Sequence, residues 1–141
     1  MNEKTRKKIE SYLYDFNNID DKINTIISSI REEEYNQGYT KYIKHKSSSL
    51  ENQVIRNIGL EQRALKIRKW QKLINNILKE YRYKNNLKYS FIILKYFNKE
   101  NSIMIENRLN LGFKEQEDIN QEILNYIFLV TIKNNILVKE V

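Results

Sequence analysis

Ile67-Arg68-Lys69-Trp70-Gln71-Lys72-Leu73-Ile74-Asn75-Asn76-Ile77-Leu78-Lys79-Glu80-Tyr81-Arg82-Tyr83 reads as a helix with two chemically distinct faces. At 100° per residue, Ile67, Trp70, Leu73, Ile74, Ile77, Leu78 and Tyr81 fall on one side. Arg68, Lys72 and Lys79 fall opposite, flanked by Lys69 and Arg82. An apolar stripe of that breadth needs other helices to cover it, whereas the basic side stays in water. The stretch predicts a core helix that displays charge outward.

Upstream, the same helix has a start signal. Ser48 stands three residues before Glu51, the spacing of a capping box, so the helix is expected from there to about Tyr83, weakened locally by Gly59. Residues 35–49, with Gln37-Gly38-Tyr39 and Ser47-Ser48-Ser49, have the polarity of a loop. Before it, Ile9, Tyr12, Leu13, Phe16, Ile19, Ile23, Ile26, Ile27 and Ile30 repeat at gaps of three, four and one. That is the stripe of an amphipathic helix from Thr5 to about Glu34, with a weak middle at Asn17, Asn18, Asp20 and Asp21 where it can break. Its coiled-coil spacing also makes it a candidate surface for a homodimer.

Downstream, three shorter helices are expected, at Leu87 to Phe97, about Ser102 to Leu111, and Phe113 to about Asn135. Leu109-Asn110-Leu111-Gly112-Phe113 links the last two, with Gly112 free to take the turn conformation. The whole chain has no proline and three glycines in 141 residues, so little interrupts helices and sheets lack their usual turns. The expected fold is all-α, with the long N-terminal and central helices packed together and a helix-turn-helix bundle at the C-terminus. The segments divide at 1–46, 47–85 and 86–141, within one structural unit.

Charge is distributed unevenly over those segments. Residues 41–88 hold 13 Lys+Arg against 3 Asp+Glu, a net of +10, whereas residues 1–40 come to −2 and residues 89–141 to −1. A coding bias toward lysine accounts for a sequence pI of about 9.4, but not for its concentration in one segment. Local charge of this kind attracts a polyanion or an acidic protein surface. Lys41, Lys44 and Lys46 extend it into the preceding loop.

Chemistry has little to work with. There is no cysteine, and His45 is the single histidine, so neither a thiolate site nor a histidine pair can form. Phosphate-binding glycine loops and nucleophile elbows are absent. No catalytic, cofactor or metal site is expected, and the protein is read as a non-enzyme. With no apolar run near the roughly 20 residues a membrane span requires, a soluble cytoplasmic location is expected. Trp70, Tyr12, Tyr81 and Tyr126 lie on apolar stripes, while Tyr39, Tyr42 and Tyr83 do not.

The order of these pieces resembles the small phage-encoded transcriptional regulators of the ArpU and RinA type. The likeness is carried by Thr5-Arg6-Lys7-Lys8-Ile9-Glu10 with Tyr14-Asp15, Ser47-Ser48-Ser49-Leu50-Glu51 before the long helix, and Ile93-Leu94-Lys95-Tyr96-Phe97. Ile105, Leu109-Asn110-Leu111 and Ile123-Leu124-Asn125-Tyr126-Ile127 complete it. The C-terminal part of that family is similar to the sigma-factor domain that reads the upstream promoter element. The resemblance implies a phage-type regulator that binds double-stranded DNA through a C-terminal helix-turn-helix, with RNA polymerase as a further partner. One stretch departs from the family, whose second helix opens with Ser, Thr and Arg. Here it reads Lys114-Glu115-Gln116-Glu117-Asp118-Ile119-Asn120-Gln121-Glu122, with Gln116 where an aliphatic residue usually packs. Carboxylates repel phosphates, which leaves Lys114, Gln121 and Asn125 as the candidate DNA contacts of this helix. Arg68, Lys72, Lys79 and Arg82 are the candidates on the central helix. The alternative reading is a helical protein-interaction module that has lost direct DNA reading.

Overall fold

The computed structural model describes the backbone of residues 1–40 and 47–136, and within them the side chains of residues 1–30, 52 and 54–136. Among the described residues six α-helices follow one another: α1 Glu3–Tyr14, α2 Ile19–Thr40, α3 Ser47–Lys84, α4 Asn86–Ile92, α5 Ser102–Leu109 and α6 Phe113–Lys133. A 3-10 turn, Phe16–Asn18, separates α1 from α2, and a π-helical turn, Ile93–Phe97, extends α4. No strand occurs among the described residues. The expected all-α class therefore stands.

Boundaries differ from the periodicity reading in three places. The first stripe breaks over Asp15 to Asn18, into the cluster expected to weaken it, so that two helices stand where one was read. Residues 35–40, read as loop, are helical, and α3 already includes Ser47 and Ser48. A lone glycine costs a helix only about 1 kcal/mol, and without proline nothing forces α2 to stop at Tyr35. The third difference is the α5–α6 link. Gly112 is extended (φ −65°, ψ 166°), and Asn110 supplies the left-handed turn at φ 56°. Asparagine tolerates that region because its short amide bonds locally. Lys41, Lys44, His45 and Lys46, the side chains of Tyr39 and of the expected capping box, Tyr42, and the chain beyond Ile136 lie outside the described residues.

The chain divides into two compact units, one of Met1–Asn17 with the chain from Trp70 onward, the other Asn18–Lys69. The first is built around a continuous apolar core. Ile9 and Leu13 of α1, Trp70, Ile74 and Ile77 of α3, Phe91 and Ile92 of α4, Ile105 of α5 and Ile123, Leu124 and Ile127 of α6 are all buried. Ring contacts join its elements, with centroids 4.8 Å apart for both Tyr12–Trp70 and Tyr14–Tyr96, and 5.0 Å for the stacked Phe16–Phe97 pair. Tyr96 sits in the π-helical turn, fully buried, and its hydroxyl donates to Oδ1 of the buried Asn120 on α6. In the second unit Ile19, Ile23, Ile26 and Ile30 are buried. The stripe expected to be open for dimerisation is thus already used within the protomer.

Candidate nucleic-acid interface

The core face of α3 follows from the opening stretch. Trp70, Leu73, Ile74, Ile77, Leu78 and Tyr81 are buried, and Ile67 is half-buried. Lys72, Lys79 and Arg82 are exposed on the opposite side, with Asn75, Asn76 and Tyr83 between and beside them. Tyr83 is 89% exposed, which leaves its ring in water. At 1.5 Å rise per residue, Lys72 and Lys79 stand about 10.5 Å apart along the helix.

Glu80 is the one carboxylate between Arg63 and Lys99, and it is turned away from neutralising this face. Its Oε2 accepts from the Tyr126 hydroxyl of α6 at 2.7 Å, and its Oε1 lies 3.7 Å from Lys84 Nζ. The bond to Glu80 raises the pKa of Tyr126, helped by partial burial. Beside it, Lys88 of α4 reaches Glu122 of α6 at 3.1 Å and sits over the Tyr81 ring at 5.7 Å. These contacts hold α6 on the flank of α3. Among the described residues, Lys72, Lys79 and Arg82 form no ion pair.

Arg68 is different. In the Asn18–Lys69 unit its Nη1 bonds Asp20 Oδ1 at 3.0 Å, tying α3 to α2. An arginine held by a carboxylate offers less net charge to a phosphate, and no sequence spacing relates residues 20 and 68. Lys69 is exposed in the same unit.

On α6, Lys114 and Asn125 are exposed and Gln121 is half-buried. Gln121 Nε2 donates to Asn125 Oδ1 at 3.2 Å, one turn on, so two of the three candidate DNA contacts are bonded to each other. Glu115, Glu117 and Asp118 are exposed without an ion pair among the described residues. Gln116 is 6% exposed, and its Nε2 donates to the Leu111 carbonyl at 2.9 Å and the Ser102 carbonyl at 3.0 Å. The residue that looked out of place in sequence laces the start of α5 and the link to the start of α6.

A groove of about 450 Å³ lies along α4, the π-helical turn and α5, lined by Tyr89, Ser90, Ile93, Leu94, Arg108 and Leu109. Arg108 is paired with Glu100 at 3.1 Å. Among the described residues no three His, Cys, Asp or Glu side chains gather as a metal site, and no helix is long and apolar enough to cross a membrane. The chain matches no protein-family model, no curated protein and no solved structure with which it was compared.

Proposed function

We propose that this protein is a non-enzymatic, phage-type transcriptional regulator that binds double-stranded DNA. The observation that carries the reading is the basic face of α3, where Lys72, Lys79 and Arg82 stand exposed with no acidic partner among the described residues. Such a face suits phosphate contacts, which position a protein on a duplex without reading its bases. Base reading falls to α6, through Lys114, Gln121 and Asn125, as the second helix of a helix-turn-helix. For Gln121 and Asn125 this requires exchanging their mutual bond for bonds to base edges, and amide side chains pair naturally with adenine.

The test is a fluorescence-anisotropy titration of DNA flanking the protein's own gene and of an unrelated duplex, each at two salt concentrations. Replacing Lys72, Lys79 and Arg82 together with alanine is expected to weaken binding to both duplexes. It also lowers the slope of log K against log salt by about 0.9 for each phosphate that is no longer neutralised. An unchanged slope removes α3 from the interface. Preference for the native fragment, abolished in Gln121→Ala with Asn125→Ala, assigns sequence reading to α6.

A second reading has its own observation. Glu115, Glu117 and Asp118 make the exposed start of α6 acidic, which suits a basic protein surface such as one on RNA polymerase better than a phosphate backbone. Absent or salt-insensitive DNA binding favours this protein-interaction module.

A further inference from the structure

Tyr83 is set apart from the other tyrosines. Tyr12, Tyr14, Tyr81, Tyr96 and Tyr126 each lie against another ring, with centroids 4.8 to 5.6 Å apart, and Tyr89 is half-buried. Among the tyrosines whose side chains are described, Tyr83 alone is exposed, at 89%, and it has no ring partner there. An aromatic side chain contributes to binding through its contact area and the π face of its ring. In Tyr83 the fold uses neither.

Helical register sets this ring on the basic face of α3. Lys72, Asn76, Lys79 and Tyr83 follow at spacings of four, three and four, and all four are exposed. At 100° per residue they fall within an arc of about 60°, with Tyr83 about 6 Å beyond Lys79 along the axis. Arg82 flanks this stripe, and neither it nor the two lysines form an ion pair among the described residues. Glu80, the nearest carboxylate in sequence, is engaged by Tyr126 and Lys84. Cations, an amide and an aromatic ring thus share one line of α3 in water.

Resting on the reading of α3 as a DNA-binding face, we propose that Lys72, Asn76, Lys79 and Tyr83 form a track for single-stranded DNA, with the Tyr83 ring stacked on an unpaired base. The lysines and Arg82 take the phosphates of the strand, which fixes its path along the helix. Cations alone fit any polyanion, and it is the ring beside them that favours one carrying bases. In a closed duplex each base is covered by its neighbours above and below, so Tyr83 finds no π face there. A single strand, or a melted stretch within a duplex, offers one. Such stacking tolerates every base and therefore reads pairing state rather than sequence. The α3 face then does more than position the protein: it distinguishes open DNA from closed.

The full chain is titrated by fluorescence anisotropy against a labelled thymidine homopolymer, a closed duplex and the same duplex with a mismatched central bubble. Tyr83→Ala is expected to weaken binding to the homopolymer and the bubble by at least about fivefold, to leave the closed duplex unaffected, and to keep the salt slope, since no charge is removed. Tyr83→Phe retains the ring and is expected to bind as the wild type does. In Tyr83→Trp the new indole is a direct reporter, because Trp70 is 2% exposed and stays shielded. Its emission is expected to be quenched by the homopolymer and not by polyglutamate, which matches the charge but has no bases. Tyr83→Ala binding the strand like the wild type, or equal quenching by polyglutamate, overturns the stacking proposal. If the Lys72, Lys79 and Arg82 alanine variant still loses affinity in that case, the reading of α3 as a DNA face stands without it. Absence of binding to strand and duplex alike overturns both.

Discussion

Gln116 and Arg68 show how a side chain acquires its meaning from residues the sequence does not place beside it. Gln116 is a polar residue at a core position, and its two donated bonds, to Leu111 and Ser102, make burial tolerable. Gln116→Leu restores the aliphatic pattern of the resembled regulators but leaves two carbonyls without their donor. It is therefore expected to destabilise the protein by about 1–3 kcal/mol, read as a lower urea midpoint at unchanged slope. A neutral or stabilising result would mean that water or a shift of the link replaces those bonds. Arg68 looked equivalent to Lys72 and Lys79 on the helical wheel, and its contact with Asp20 separates it from them. The apolar stripe, by contrast, was legible because burial follows helical period: Trp70, Leu73, Ile74, Ile77, Leu78 and Tyr81 are all inside.

At the scale of elements, asparagine takes over the punctuation that proline and glycine usually provide. Asn2, Asn85 and Asn101 cap α1, α4 and α5, each side chain accepting the backbone N–H three residues on. Asn110 and Asn135 hold left-handed backbone at helix ends. A reading that looked for glycine chose Gly112 as the turn, because glycine is the usual occupant of positive φ. Asn110→Ala is expected to cost about 1 kcal/mol, since alanine pays the left-handed penalty with no amide to offset it, while Asn110→Gly is neutral or slightly stabilising. Thermal melts of the two variants check this, and equal melting temperatures would show that the backbone at residue 110 relaxes. The start of α2 was visible as a weak point in the N-terminal stripe. Its extension to Thr40 was not, because helix ends without strong stop signals are decided by marginal energies.

At the scale of the molecule, buried phenols tie stability to pH. Burial, with neighbouring Glu10 and Tyr14, raises the pKa of Tyr96 well above the ordinary tyrosine value, and burial with Tyr126 and Glu80 does the same for Tyr81. The unfolded chain ionises these phenols near pH 10. Their contribution is therefore complete below that pH and is lost as pH rises beyond it, by about 1.4 kcal/mol per pH unit for each phenol. Lys95 runs the other way, its pKa lowered by burial, so stability gains a little as pH approaches the ordinary lysine value from below. Urea unfolding between about pH 8 and pH 11 is expected to show a steep loss at the alkaline end, shallower in Tyr96→Phe. An identical slope in that variant would place the titration elsewhere.

Composition, period and charge by themselves determined that the chain is helical, that α3 is a core helix with a basic back, and that positive charge concentrates in the middle of the chain. These are properties of neighbours along the chain, where the helix alone fixes which residues share a face. Tertiary structure decided what contact between distant residues decides. Asp20 quiets Arg68, Tyr126 occupies Glu80, and the Ile19 to Ile30 stripe is buried within the protomer. Ile55, Ile58 and Leu65 remain in water, because whether an apolar face is covered depends on what folds against it.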